Sequence, residues 1–314
     1  MNPAFSVILF TTTSGAGYGL LIWLGLFAPL DFAPRAPLFG FVAVGFSVVL
    51  VGVGLLASMF HLGHPERAWR AVSQWRSSWL AREGVAAIAS FVPIGLFGLL
   101  WVFSGSTALW LVVGWITAVA ALITVASTGM IYGTLKPIRQ WHNPWVVPIY
   151  LLNALMSGYV WFTLFTAAVG RQSAELGFVG LVVVVAALLA KRAYWRSIDA
   201  GESLSTPESA TGLVGLGTVR LLERPHTEEN YLSQEMGYRI ARKHAAKLRR
   251  LAMVIGYLAP LVLTLLGLAA GGPLGLAAAV LAALNVTVGL LIERWLFFAE
   301  ATHTVTLYYG ARAA

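Results

Sequence analysis

Residues 38–59 read LFGFVAVGFSVVLVGVGLLASM, and residues 60–84 read FHLGHPERAWRAVSQWRSSWLAREG. The first stretch carries no charge. As a helix rising about 1.5 Å per residue it crosses the roughly 30 Å hydrocarbon core of a bilayer. Lipid offers no partner to a backbone N–H or C=O, so an apolar run of that length must satisfy its own amides as a helix. The second stretch is its polar end. The same reading along the sequence predicts eight spans: Val7–Phe27, Leu38–Met59, Gly84–Phe103, Ala108–Ser127, Val146–Ala168, Leu176–Leu189, Leu251–Ala270 and Leu274–Phe298. The sixth is the shortest. Nothing basic precedes the first run, which continues past the length of a signal-peptide core, so a cleaved signal is not expected.

Composition points the same way. Of 314 residues, 58% are apolar and 11% charged, and mean hydropathy is +0.77; soluble domains carry about 25% charged residues. A soluble globular enzyme is excluded, and the fold class is an all-α integral membrane protein. The protein has no Cys. That removes thiolate ligation of an iron–sulfur cluster, c-type haem attachment and thiol catalysis from its own repertoire.

The net charge of +8 is unevenly placed. The connections 61–83, 129–145 and 191–250 hold four, two and eleven of the 21 Lys and Arg residues. With eight spans these connections share one face with both termini, and cytoplasmic loops carry the basic excess. Both termini are therefore expected in the cytoplasm. The sequence divides into a six-helix region at 1–190, a long cytoplasmic loop between helices six and seven at 191–250, and the last two spans with a C-terminal tail at 251–314. Within the loop, Glu228–Arg250 reads as a basic amphipathic helix lying on the membrane surface or under a partner protein. Membrane lipid, not nucleic acid, is the other partner its charge implies.

At hydrocarbon depth the spans hold almost no ionisable residue, which argues against an ion-coupled transporter. Polar residues gather instead at the inner helix ends. His61 ends helix two and Glu83 opens helix three, so the two can be neighbours. An imidazole beside a carboxylate at the lipid–water boundary suits a quinone, whose two-electron reduction takes up two protons. His61 can donate to a ring carbonyl, Glu83 can relay a proton, and Trp69, Trp75 and Trp79 can wall the ring or form an aromatic belt. The plainer alternative stands beside this one: His61 caps a helix end, and Glu83 complements a helix start or pairs with Arg67 or Arg82. His64, Glu66 and Arg70 read as loop surface unless a partner covers them. Thr124, Ser127, Thr128 and Tyr132 read as helix packing, with Tyr132 able to wall a head-group pocket. Glu293, Glu300 and His303, with Arg294 as counter-charge, read as ion pairs or interface, or, for Glu300 or His303, as part of a proton route. His142 reads as structural. None of the six His lies mid-span, so haem b is not expected between the helices, a surface-near haem on His61 or His303 stays open, and no metal site is assigned.

The runs SMFHLGHPERAW (58–69), SSWLAREG (77–84) and TGMIYGTLKPIRQWHNPW (128–145), on an eight-span layout, resemble the membrane anchor subunits of the dimethyl sulfoxide reductase type. Two further runs, ERWLFFAEATHTVTLYYG (293–310) and RLLERPHTEENYLSQEMGYRIARKHAAKLR (220–249), resemble the anchors of cytoplasm-facing sulfite dehydrogenases. The resemblance implies a complex in the bacterial cytoplasmic (inner) membrane. In it a molybdopterin catalytic subunit and a four-cluster [4Fe-4S] ferredoxin-like subunit dock on an anchor that exchanges electrons with quinone, without haem. It implies that His61 and Glu83 bind the quinone and act on it, with Arg67 as the motif's arginine. Trp79, Tyr132 and His64 complete the expected quinone-binding set. The expected partner interface comprises Arg70, Arg76, Arg82, Lys136, Arg139, Arg242, Lys243 and Lys247. His64 and Glu66 depart from the reductase pattern, which leaves open the direction of electron flow and whether ubiquinone or menaquinone is used. The resulting expectation is sulfite oxidation with quinone reduction. Its alternatives are a quinol-oxidising anchor of a dimethyl sulfoxide or S- or N-oxide reductase, a transporter of an inorganic anion, and a purely structural anchor.

Overall fold

The computed structural model describes residues 3–60, 62–103, 107–201, 205–223, 225 and 240–313, with the backbone alone at 71 and 240–243. Among the described residues, eight helices are long and apolar enough to cross a membrane. They are α1 Phe5–Phe27, α2 Pro37–Met59, α3 Trp79–Phe103, α4 Thr107–Gly133, α5 Val146–Ala168, α6 Ala174–Ala200, α7 in the consecutive segments Ile240–Met253, Val254–Leu258 and Ala259–Ala270, and α8 Gly272–Ala299. Among the described residues there is no strand, only an isolated bridge between Ile138 and His303.

Several helices outrun their predicted spans. Hydropathy reports the stretch matched to hydrocarbon, whereas a helix continues wherever its backbone can go on bonding to itself. α3 therefore starts at Trp79 and carries Arg82 and Glu83 inside it, and α4 runs on to Gly133. α6 shows the largest difference: it reaches Ala200, so Lys191, Arg192 and Arg196 belong to a helix and not to the loop. The basic segment expected as a surface helix is, from Ile240 onward, the first part of α7; residues 228–239 lie outside the described residues.

Hydropathy also ranks the helices by position. The most apolar windows of α1 and α5 have hydropathy 1.5 and 1.4 and are 78% and 67% buried, whereas the other six lie at 2.1–2.5 and 28–44%. A helix facing lipid must be apolar there, but one surrounded by other helices can carry hydroxyls and amides that bond internally. α1 packs against α2, α4 and α5 and touches α8, while α5 joins this group to α6 and α8. α3 lies on α4 and α2, and α7 pairs with α8 against α6.

Glycines set the closest approaches. A Cβ built on Gly158 of α5 would land on the backbone of Gly19 in α1, and one on Gly289 of α8 on the backbone of Gly256 in α7. Gly256 belongs to a π-turn, Val254–Leu258, closed by the Ala259 N–H on the Val254 carbonyl. Pro260 follows immediately and cannot donate to an i−4 carbonyl. Tyr257, within the turn, is fully buried and its hydroxyl donates to Asn153 Oδ1 at 3.0 Å.

Gly158→Val forces α1 and α5 apart and should destabilise the protein by about 3 kcal/mol or more. Gly95→Ala, where an added Cβ meets nothing within 4 Å, should keep or slightly raise stability, because Ala favours a helix interior over Gly. Apparent melting temperatures in detergent check the contrast, and equal values for both variants would contradict the close α1–α5 contact.

Candidate functional site

α3 turns one stripe of side chains inward: Glu83, Ala87, Ser90, Ile94, Phe97 and Trp101 are all buried, spaced by three and four residues. Glu83 is the charged member of that stripe. It sits one turn inside the helix start and is 5% exposed. α4 answers with Thr117, Ala121, Thr124 and Thr128 at the same spacing. The Thr128 hydroxyl donates to Glu83 Oε1. From α1, Tyr18 places its hydroxyl 3.2 Å from Ser90 Oγ, and Tyr18, Tyr132 and Tyr150 all lie within electrostatic range of Glu83.

Tyr132, at the end of α4, forms part of an aromatic wall. Its ring stacks on Tyr150 at 5.8 Å and meets Trp141, Phe297 and Phe298 edge-on at 5.2, 5.5 and 5.3 Å. Trp141 Nε1 donates to the Phe297 carbonyl at 3.0 Å, which ties the connection between α4 and α5 to the end of α8.

Beside this lies a charged cluster that hydropathy assigns partly to a loop. Lys191 of α6 forms an ion pair with Glu293 of α8, and both side chains are 0% exposed. Arg294 Nε lies 3.5 Å from Glu293 Oε2, and Asn153 Nδ2 of α5 donates to the same oxygen at 3.4 Å. The cations also rest on aromatic faces: Lys191 on Tyr194 and Trp195 at 4.3 and 4.7 Å, Arg294 on Tyr150 at 3.8 Å. Arg294, expected as a shared counter-charge, therefore serves Glu293. Glu300 pairs instead with Arg249 at 2.7 Å, and Arg249 also holds Asp199 at 2.7 Å, linking α7 to the end of α6. The signal for the cluster lies in spacing: Val184, Ala187, Lys191, Tyr194 and Ile198 form the buried stripe of α6.

The remaining expected site residues fall in three places. His61 lies outside the described residues. His64 and Arg67 are exposed and bind Glu66 Oε1 at 3.1 and 3.5 Å. Trp79 carries Arg82 over its ring at 4.3 Å, and Arg82 donates to the carbonyls of Trp75 and Arg76 at 3.0 and 2.7 Å. Pairing of Glu83 with Arg67 or Arg82 does not occur. Among the expected interface residues, Arg70 and Arg76 sit over Trp69 and Trp75 at 5.5 and 5.0 Å, and Lys136 and Lys247 are exposed. Arg139 is engaged within the protein, donating to the Ile198 carbonyl at 2.6 Å near the end of α6. The side chains of Arg242 and Lys243 lie outside the described residues. His142 Nδ1 contacts the Gly133 carbonyl at 2.8 Å, the structural role expected of it. His303 Nδ1 accepts from the Val305 N–H at 2.9 Å, and burial holds the imidazole below its ordinary pKa.

Among the described residues, eight apolar helices with their interhelical acids gathered near the terminus-bearing face define a multi-pass membrane protein. The model of the DMSO reductase anchor subunit (DmsC) family matches residues 1–310, and the chain belongs to that family. It is 31% identical over 330 aligned positions, spanning the whole of both proteins, to the C subunit of the sulfite dehydrogenase of Allochromatium vinosum. Partial likeness extends to two proteins of Escherichia coli. The C polypeptide of its anaerobic dimethyl sulfoxide reductase is 30% identical over 35% of this sequence and 39% of its own. The YnfH polypeptide of an anaerobic dimethyl sulfoxide reductase is 30% identical over 48% and 54%.

Removing one partner of a buried ion pair costs about 3–5 kcal/mol. Lys191→Met should fall in that range, and Glu293→Leu should cost more because it leaves two cations unpaired. Unfolding of both variants in mixed micelles checks the order, and a Glu293→Leu protein as stable as Lys191→Met would refute the shared pairing.

Proposed function

We propose that the protein is the quinone-reactive membrane anchor of a molybdenum/iron–sulfur oxidoreductase complex. It would take electrons from a docked [4Fe-4S] subunit, supplied by a molybdopterin subunit oxidising sulfite, and pass them to a membrane quinone. The observation that carries this reading is Glu83, an acid held inside the bundle near a lipid–water boundary by a hydroxyl, with no cation on it among the described residues. A structural carboxylate at that depth would be paired with a charge. One left to a hydroxyl can take and give a proton.

Reduction of a quinone to its quinol consumes two electrons and two protons. The electrons come from the partner, and the protons must come from water on the face where the site opens. Glu83 holds one proton on its carboxyl and delivers it to a ring oxygen, with Thr128 fixing the orientation of that carboxyl. His61, which follows α2 in the sequence, donates to the opposite ring oxygen. Tyr132 contributes a flat wall. Electrons must cross from the partner's cluster to the same ring, so the partner docks on the terminus-bearing face, over the 61–78 segment and the exposed Lys136 and Lys247. The excess of basic residues in the loops argues for a cytoplasmic location of that face. Full-length likeness to a sulfite dehydrogenase subunit favours quinone reduction, whereas the partial likeness to the reductase polypeptides supports the reverse flow as the second reading.

His61→Ala and Glu83→Gln should each lower quinone-coupled turnover by about 100-fold or more while the complex still co-purifies. Unaltered turnover in both would remove the pair from the mechanism. Sidedness can be checked directly, since the protein has no Cys. Ser209→Cys should react with an impermeant maleimide only from the cytoplasmic side, and Ser173→Cys only from the other. The opposite pattern overturns the orientation.

A further inference from the structure

Between the Glu83 site and the Lys191–Glu293–Arg294 cluster, a cavity of about 20 Å³ lies among α1, α4, α5 and α8. Its lining includes Thr12, Tyr18, Thr128, Tyr150, Asn153 and Arg294. Three of these bring polar atoms with no hydrogen-bond partner among the described residues: Thr12 Oγ1, Tyr150 OH and Arg294 Nη1. The three residues are 4%, 3% and 3% exposed. A buried polar group without a partner costs about 1–3 kcal/mol, and three such groups on residues lining one small space point to a shared ligand. The volume suits a water molecule, which needs roughly 10–15 Å³ and two to four polar partners, and it is far too small for a ring. The chemistry agrees, because Arg294 only donates while the two hydroxyls both donate and accept.

The walls of the cavity connect it to both acids. Thr128 is the hydroxyl bound to Glu83, and Arg294 and Asn153 are the groups bound to Glu293. We infer that this cavity is an ordered-water site that serves Glu83 as a proton relay through the Thr128 hydroxyl, with Arg294 of the Glu293 cluster orienting the water. The inference deepens the quinone reading and rests on it for the relay's purpose. After Glu83 gives its proton to the ring oxygen, the water lined by Thr12, Tyr150 and Thr128 returns one to it. Arg294 keeps its protons and only holds that water in place. The net change at Glu83 is zero, and the proton finally comes from the aqueous face.

The relay is tested with Thr12→Val and Tyr150→Phe in the assembled complex. Each removes one hydroxyl and keeps the shape. Both should lower quinone-coupled turnover about tenfold or more and raise the solvent deuterium isotope effect, while the affinity for a quinol analogue stays as in the parent. Turnover and isotope effect unchanged in both variants, with Glu83→Gln inactive, would overturn the relay and leave the quinone site standing. Full activity of Glu83→Gln would overturn the quinone site itself. Independently of turnover, a high-resolution map of the complex should show water within hydrogen-bond distance of Arg294 Nη1. A dry cavity, or a lipid or ring system occupying it, would overturn the assignment.

Discussion

Polar atoms placed between helices in a bilayer have no bulk water to fall back on, so each must find its partner inside the protein. Most of the hydroxyls meet this condition locally. Ser14, Ser47, Thr117 and Ser127 each donate to the carbonyl four residues earlier on their own helix. Carboxylates cannot be satisfied that way and must reach across to another helix. Glu83 reaches from α3 to α4, and Glu293 reaches from α8 to α6 and α5. These few contacts fix which helices are neighbours and at what rotation. The apolar surface alone would tolerate many arrangements, since lipid tails are as apolar as leucine.

The consequence is a bundle with two unlike halves. Towards the face bearing the termini, Glu83, Thr128, Asn153, Lys191, Tyr257, Glu293 and Arg294 tie neighbouring helices together through polar contacts. Towards the opposite face the contacts are mainly aromatic and small: Phe97, Trp101 and Trp110 cluster with centroids 4.8–6.0 Å apart, and Gly25 meets Gly114 where α1 crosses α4. The buried acids thus share one side with the long connections.

Much of this is legible along the sequence. Unbroken apolar runs identify the helices, and Glu83 stands out because it begins the three-and-four spaced stripe that runs on to Trp101. Arg139 and Lys191 show where such reading fails. Both lie just beyond apolar runs and count as loop charges by composition. Arg139 instead folds back onto the Ile198 carbonyl, and Lys191 is carried inward because α6 continues to Ala200, well past the point where the hydropathy of its run gives out. A helix end is set by hydrogen bonding and neighbouring contacts, which hydropathy does not record.

The number of spans, their order and the face on which basic charge gathers all follow from residue identity, because each reflects the free energy of placing a side chain in hydrocarbon or water. The lower hydropathy of α1 and α5 even marks the two helices that others surround. Packing alone settled that Glu83 answers to a hydroxyl and not to a neighbouring arginine, that Glu293 shares two cations, and that Thr12, Tyr150 and Arg294 line one small cavity. Those outcomes depend on the rotation of each helix about its own axis, which contacts from several distant segments fix together.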